Sequence, residues 1–246
     1  MNVLPHWPRR NRIFETLFVS SHSVPLTLSS SLFTQRRAQL VHVLRERGIA
    51  DEAVLAAIGV VPREAFVPDV LAANAYDDTA LPIDELQTIS QPFTVATMTS
   101  AVGVRLGSKI LEIGTGSGYQ AAVLAALGAI VYTIERHALL SHQARERFRR
   151  LGLQNIHTRV SDGSIGWAAQ APFDGILVTA GAPDVPEALA RQLSIGGRLI
   201  VPVGDRVGQT LYSVTRTGDE TWSAQDLGPF KFVPLIGAEG WQDGVR

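Results

Sequence analysis

The sequence predicts a doubly wound α/β domain of Rossmann-like type with an N-terminal helical subdomain. Three observations carry that expectation. Ile110-Leu111-Glu112-Ile113 is a short apolar run of the kind that forms a buried parallel strand. Gly114, Gly116 and Gly118 follow at alternate positions and lead into residues 119–127, a stretch of helix formers. After Gly128 a second apolar run, residues 129–134, ends on Glu135, roughly 20 residues beyond the first glycine. Strand, glycine turn, helix, strand and acid are the parts of a nucleotide-binding βαβ unit. Glycines without Cβ let the backbone touch a ligand, and the acid takes the ribose hydroxyls.

The loop chemistry narrows the ligand. A dinucleotide fingerprint needs a third glycine three places after the second, and Tyr119 stands there. This disfavours a nicotinamide-dependent oxidoreductase. The pattern is instead Glu112-x-Gly-x-Gly-x-Gly, which suits S-adenosylmethionine, a nucleoside with no pyrophosphate. Its sulfonium and amino groups are cationic, and Glu112 is placed to face them. Glu112, Gly114, Gly116, Gly118 and Glu135 are therefore candidate cofactor-binding residues.

The bulk properties set limits. A chain of 246 residues suits one α/β domain with additions. The formal net charge of −1 gives no global field to draw in nucleic acid or an anionic membrane. The absence of cysteine excludes disulfides, thiolate catalysis and cysteine metal sites, and fits a reducing compartment. No apolar run approaches the length of a membrane span. A cytoplasmic monomer with no metal, nucleic-acid or membrane partner is the expectation.

Along the chain, residues 1–34 read as a poorly ordered extension. Their basic start faintly resembles a signal peptide, but Glu15 interrupts the apolar part. Residues 35–58 are helical in pattern, with Gly48 as a stop and Asp51 as the next cap. Prolines 62 and 68 bracket a short helical turn, and residues 74–82 are polar and irregular. Gln87-Thr88-Ile89-Ser90-Gln91-Pro92 leads into a helix with Pro92 in its first turn, and Ser90 alone reads as an ordinary helix cap. Residues 138–151 form an amphipathic helix ended by Gly152, whose arginine run reads as a solvated face. Residues 156–160 are a third strand with Ser161-Asp162-Gly163 at its end. There Asp162 either accepts from an adenine amino group or makes an Asp-Gly turn. Residues 173–180 are a fourth strand, Gly196-Gly197 turns into a strand at 198–203, residues 208–214 and 221–227 suggest a hairpin, and 241–246 look like a tail. The expected divisions are 35–100, a helical substrate and lid region; 101–204, the nucleotide-binding core; and 205–246, C-terminal strands and tail.

Taken together, these segments resemble the protein-L-isoaspartate O-methyltransferase family over residues 35–235. The resemblance rests on Val61-Pro62-Arg63-Glu64-Ala65-Phe66-Val67-Pro68, Gln87-Thr88-Ile89-Ser90-Gln91-Pro92, Leu111 to Gln120, Phe173-Asp174-Gly175-Ile176 and Phe232-Val233-Pro234-Leu235. The glycine loop is common to many methyltransferases; the Thr-Ile-Ser-Gln-Pro segment is far more specific. In the family that segment covers the cofactor and its serine is the active-site residue. The resemblance therefore implies a catalytic role for Ser90, with Ile89, Glu112, Gly114, Gly116, Glu135, Asp162 and Gly163 around S-adenosylmethionine. It implies methyl transfer to the α-carboxyl of L-isoaspartyl residues in damaged proteins and peptides. An ionised carboxylate needs no general base, and the six histidines are scattered. The family usually has a glycine-rich approach to this segment. Here Pro82-Ile83-Asp84-Glu85-Leu86-Gln87 replaces it, and Asp84 and Glu85 would repel an acidic substrate if they faced it. A methyltransferase for another carboxylate and a non-catalytic reader of damaged protein are the alternatives.

Overall fold

The computed structural model describes residues 28–242. Helices come first. α1 (Leu28–Glu46) ends at Gly48, whose φ of +99° suits only glycine well. α2 (Glu52–Val60) starts on Asp51, whose side chain accepts hydrogen bonds from the Ala53 and Val54 amides. Both the expected stop and the expected cap stand. α1 itself begins at Leu28, so residues 28–34 are helical rather than part of an extension. The reason is tertiary: Phe33 packs on the core and its ring meets Tyr76 at 6.3 Å. The faint targeting pattern of residues 1–27 lies outside the described chain.

A 3₁₀ turn, Arg63–Phe66, follows between the two prolines as expected. β1 (Leu81–Pro82) and β2 (Thr88–Ile89) then pair as a small antiparallel hairpin. Its tip is closed by the Gln87 amide donating to the Asp84 carbonyl at 3.1 Å. The two central residues of that turn are left-handed, Glu85 at φ +58° and Leu86 at φ +57°. These are the positions where hairpins normally place glycine or asparagine. α3 (Pro92–Val102) follows with Pro92 in its first turn. Its cap is not Ser90. Gln91 occupies the cap position but its side chain makes no capping bond, and the Phe93 amide donates to Asp78 Oδ1 at 2.9 Å instead.

The remainder alternates strand and helix: β3 (Lys109–Ile113), α4 (Tyr119–Ala126), β4 (Ile130–Glu135), α5 (Ala138–Arg150), β5 (Ile156–Val160), β6 (Phe173–Val178), α6 (Glu187–Arg191) and β7 (Leu193–Gly204). β8 (Gln209–Gly218) and β9 (Thr221–Phe230) complete the chain as the expected hairpin. One seven-stranded sheet results, in the order β5-β4-β3-β6-β7-β8-β9. It is parallel from β5 to β7 and antiparallel beyond. β7 runs straight through Gly196-Gly197, where a turn was expected, because it pairs early with β6 at Leu193. Trp241 is not in a loose tail: its ring N–H donates to the Gly181 carbonyl at 3.1 Å.

Alternate residues of the central strands feed two cores. Ile110, Val131, Leu177 and Ile200 pack with α1 to α4 on one face. Leu111, Ile134, Ile176 and Leu199 pack with the α6 side on the other. Burial of both faces explains why these strands read as continuous apolar runs. The strand order reverses between β3 and β6, and there a doubly wound sheet opens a crevice at its carboxyl edge.

The hairpin tip gives a direct test. Leu86 is 97 % exposed, so its side chain contributes little packing. A left-handed non-glycine residue costs about 1–2 kcal/mol, and glycine's added chain entropy returns about half of that. Leu86→Gly is therefore expected to stabilise the protein slightly, by roughly 0.5–1 kcal/mol; urea denaturation of both chains measures it.

Candidate active site

The crevice is a cavity of about 840 Å³ at the carboxyl ends of β3, β4 and β6, a size suited to a nucleoside-sized ligand. The glycine loop forms its floor. Gly114 has φ +94°, and a Cβ there would sit 2.4 Å from Thr179 Oγ1. That hydroxyl donates to the Ile113 and Gly114 carbonyls at 2.9 and 2.8 Å, tying the loop to the end of β6. Gly116 also lies in the left-handed region, at φ +51°. On the far side Glu135 Oε2 accepts from the Gly116 amide at 2.8 Å, and Oε1 accepts from the His137 amide at 3.0 Å. Both oxygens are thus oriented, and each keeps a lone pair for a ligand hydroxyl.

The upper wall is the end of the hairpin. Ile89 and Ser90 line the cavity, as do Gln91 and the loop from Pro229 to Ile236. The Ser90 hydroxyl makes no hydrogen bond among the described residues, which leaves it open to a ligand. Asp84 and Glu85 do not face the cavity as a repulsive pair. Asp84 Oδ2 accepts from Gln143 Nε2 at 2.7 Å, and Glu85 lies 3.3 Å from His137 Nδ1. The two acids therefore strap the hairpin tip to α5 across the glycine loop. His137 belongs to this wall too. The view of the histidines as scattered missed it, although it stands two places after Glu135.

Of the expected residues, Ile89, Ser90, Gly114, Gly116, Glu135 and Gly163 line the cavity. Three others lie outside its wall. Gly118 is required by packing: a Cβ there would stand 2.7 Å from the Phe148 ring of α5. Asp162 serves the chain's own fold. Its Oδ1 accepts from the Ser164 amide and hydroxyl at 2.8 and 2.7 Å, and Oδ2 from the Ala238 amide at 2.8 Å. Burial alone would raise the Asp162 pKa, but these donors prevail and hold it below the ordinary value. Glu112 lies on the strand face shared with Ile110, beneath α4, because alternate residues of β3 point to opposite sides. Fully buried, it accepts from the Thr133 hydroxyl. Burial pushes its pKa up to about 8, and the nearby Glu135 charge adds to the rise. It is a neutral acid in the core at pH 7, not a carboxylate facing a sulfonium. Thr179 is the loop-anchoring, cavity-lining position that pattern reading passed over, since a threonine just past a strand carries no signal of its own.

Comparison with known proteins agrees with this geometry. The family model for protein-L-isoaspartate(D-aspartate) O-methyltransferase matches residues 35–240. A protein-L-isoaspartate O-methyltransferase of Magnetococcus marinus is 51% identical over 206 residues, 84% of this chain and 90% of the relative. That of Xanthomonas oryzae pv. oryzae is 52% identical over 213 residues, 86% of this chain and 94% of the relative. A solved protein-L-isoaspartate O-methyltransferase superimposes with a TM-score of 0.75 at 30% identity, covering 83% of this chain and 67% of that one. A Plasmodium falciparum structure described as a member of the same family, determined with S-adenosyl-L-homocysteine, gives a TM-score of 0.72 at 26% identity. It covers 81% of this chain and 98% of its own.

Two predictions follow from the buried acids. Glu112 holds its proton in the fold up to about pH 8 and loses it near 4.5 when unfolded. Its contribution is thus complete below pH 4.5 and fades as pH rises through 8. Glu112→Gln should flatten the fall in thermal midpoint expected of the parent between pH 5 and 8, on the order of a few kcal/mol in stability, measured by calorimetry across that range. Glu135→Ala removes the acceptor that orients Gly116, and should weaken nucleoside binding by about 1–3 kcal/mol in titration calorimetry. On the cavity, the glycine loop, the Glu135 anchor and the extent of these matches, the chain belongs to the protein-L-isoaspartate(D-aspartate) O-methyltransferase family.

Proposed function

We propose that this protein transfers a methyl group from S-adenosylmethionine to the α-carboxyl of L-isoaspartyl residues, the first step in repair of damaged proteins. The observation that carries the reading is an unpartnered Ser90 hydroxyl on the wall of the cavity whose floor is the glycine loop. Gly114 and Gly116 bring backbone close to the ligand, and Glu135 is oriented for a ribose, so the residues present fit the cofactor. Bound S-adenosylmethionine supplies an electrophilic methyl group on a sulfonium.

The chain's own residues do the rest. An isoaspartyl carboxylate is ionised at neutral pH and needs no proton removed before it attacks. Ser90 donates a hydrogen bond to one carboxylate oxygen and aims the other. The β1–β2 hairpin, held to α5 by Asp84 and Glu85, keeps water from the reacting centre. Modified proteins and peptides lie in the open groove between the Thr79–Ala80 loop and the segment around Lys231. The same reading makes the protein a cytoplasmic monomer; no described helix is long and apolar enough to cross a membrane.

Ser90→Ala is expected to lower turnover on an isoaspartyl peptide by about 10- to 100-fold, the loss of one positioning hydrogen bond, with cofactor affinity nearly unchanged. Tritiated methyl transfer, read as base-labile methanol, measures it. The aspartyl twin peptide should stay unmethylated. Equal turnover of the two peptides would point instead to another carboxylate substrate.

A further inference from the structure

Arg63 is fully buried, yet no carboxylate pairs with it among the described residues. Its Nε donates to the Ala75 carbonyl at 2.8 Å and its Nη2 to the Ser90 carbonyl at 2.9 Å. The Tyr119 ring lies 4.8 Å from the guanidinium carbon, and Nη1 has no partner. Burial disfavours the cation, and the two carbonyls, the Tyr119 ring and the nearby Asp78 charge offset that cost. An apolar side chain would leave both carbonyls without this donor, so the guanidinium is held there for what it grips.

The geometry identifies the task. The Ser90–Gln91 peptide is trans, so its N–H points away from the carbonyl that Arg63 grips. Arg63 lies in the core and Gln91 lines the cavity, so the N–H is directed away from the core. The Gln91 N–H has no partner among the described residues, and neither has the Ser90 hydroxyl. A cation on the carbonyl draws electron density along the peptide and makes its N–H a stronger donor. We infer that Arg63 is a positioning residue for methyl transfer: it fixes and polarises the Ser90–Gln91 peptide, so that the Gln91 N–H and the Ser90 O–H together grip the substrate carboxylate. Through the Tyr119 ring the same guanidinium sets this cradle against α4, the helix that leaves the glycine loop. The inference rests on the role given to Ser90 above.

A double-mutant cycle tests it. Arg63→Lys keeps the charge but loses the fork that reaches Ala75 and Ser90 together. The expected result is a fall of at least ~10-fold in kcat/KM for an isoaspartyl peptide, with the Kd for S-adenosylmethionine changed less than ~2-fold. In the Ser90→Ala background the same substitution should cost no more than ~3-fold, because the two residues act as a unit. Equal losses in both backgrounds, or a parallel loss of cofactor affinity, would overturn the inference. Full activity of Ser90→Ala alone would instead remove Ser90 and leave the amide donor to be judged by itself. That judgement uses the unmodified protein, and so also covers variants that fail to fold. With S-adenosylhomocysteine bound, the Gln91 amide proton should move downfield in the nitrogen-15 spectrum when the isoaspartyl peptide is added, and stay still with the aspartyl twin. A Gln91 signal unmoved by both peptides would refute the cradle.

Discussion

The hydrogen bond from the Gly116 amide to Glu135 holds the pocket in shape. Its acceptor ends β4 and its donor lies in the loop after β3, so it spans adjacent parallel strands where the sheet order is about to reverse. Thr179 makes the matching tie from β6 to Gly114. A loop of glycines would otherwise wander, since residues without Cβ lose the most freedom on ordering. Fixed from both sides, it becomes a rigid floor, and the ligand meets a site that is already formed.

The roof is held by a different kind of chemistry. No strand of the main sheet reaches Ser90. Its segment is suspended from the N-terminal subdomain by polar side chains: Asp78 on the Phe93 amide, Gln91 Nε2 on the Asp78 carbonyl at 2.9 Å, and Arg63 on Ala75 and Ser90. This division accounts for the helices placed before the nucleotide-binding core. They carry the groups that hold the short Ser90 segment over a cavity built by other parts of the chain. The hairpin tip is then strapped down by Asp84 on Gln143 and Glu85 beside His137.

Much of the fold was legible because the relevant signals are local. A buried strand, alternate glycines and an acid at the next strand's end all lie within one βαβ unit, and the hairpin of β8 and β9 announces itself by alternation. What escaped depends on distant partners. Asp162 looked equally like an adenine acceptor and a turn residue, and its partner Ala238 is far along the chain. Glu112 fell to the hidden side because a strand buried on both faces has no alternation to show which residues face the crevice. Arg63 was visible only as part of a motif. Arginine is seldom fully buried, and nothing in its neighbours announces that two backbone carbonyls await it.

The proton on Glu112 has a consequence for how the molecule behaves in solution. The formal charge of −1 counts that side chain as ionised and histidines as neutral. Burial pushes the Glu112 pKa up, so the native chain is less negative at pH 7 than the unfolded one, and the excess was small to begin with. Copies of the native protein then have almost no long-range repulsion to keep them apart in a neutral buffer. Their mutual solubility rests on how evenly the surface charges of both signs are interspersed.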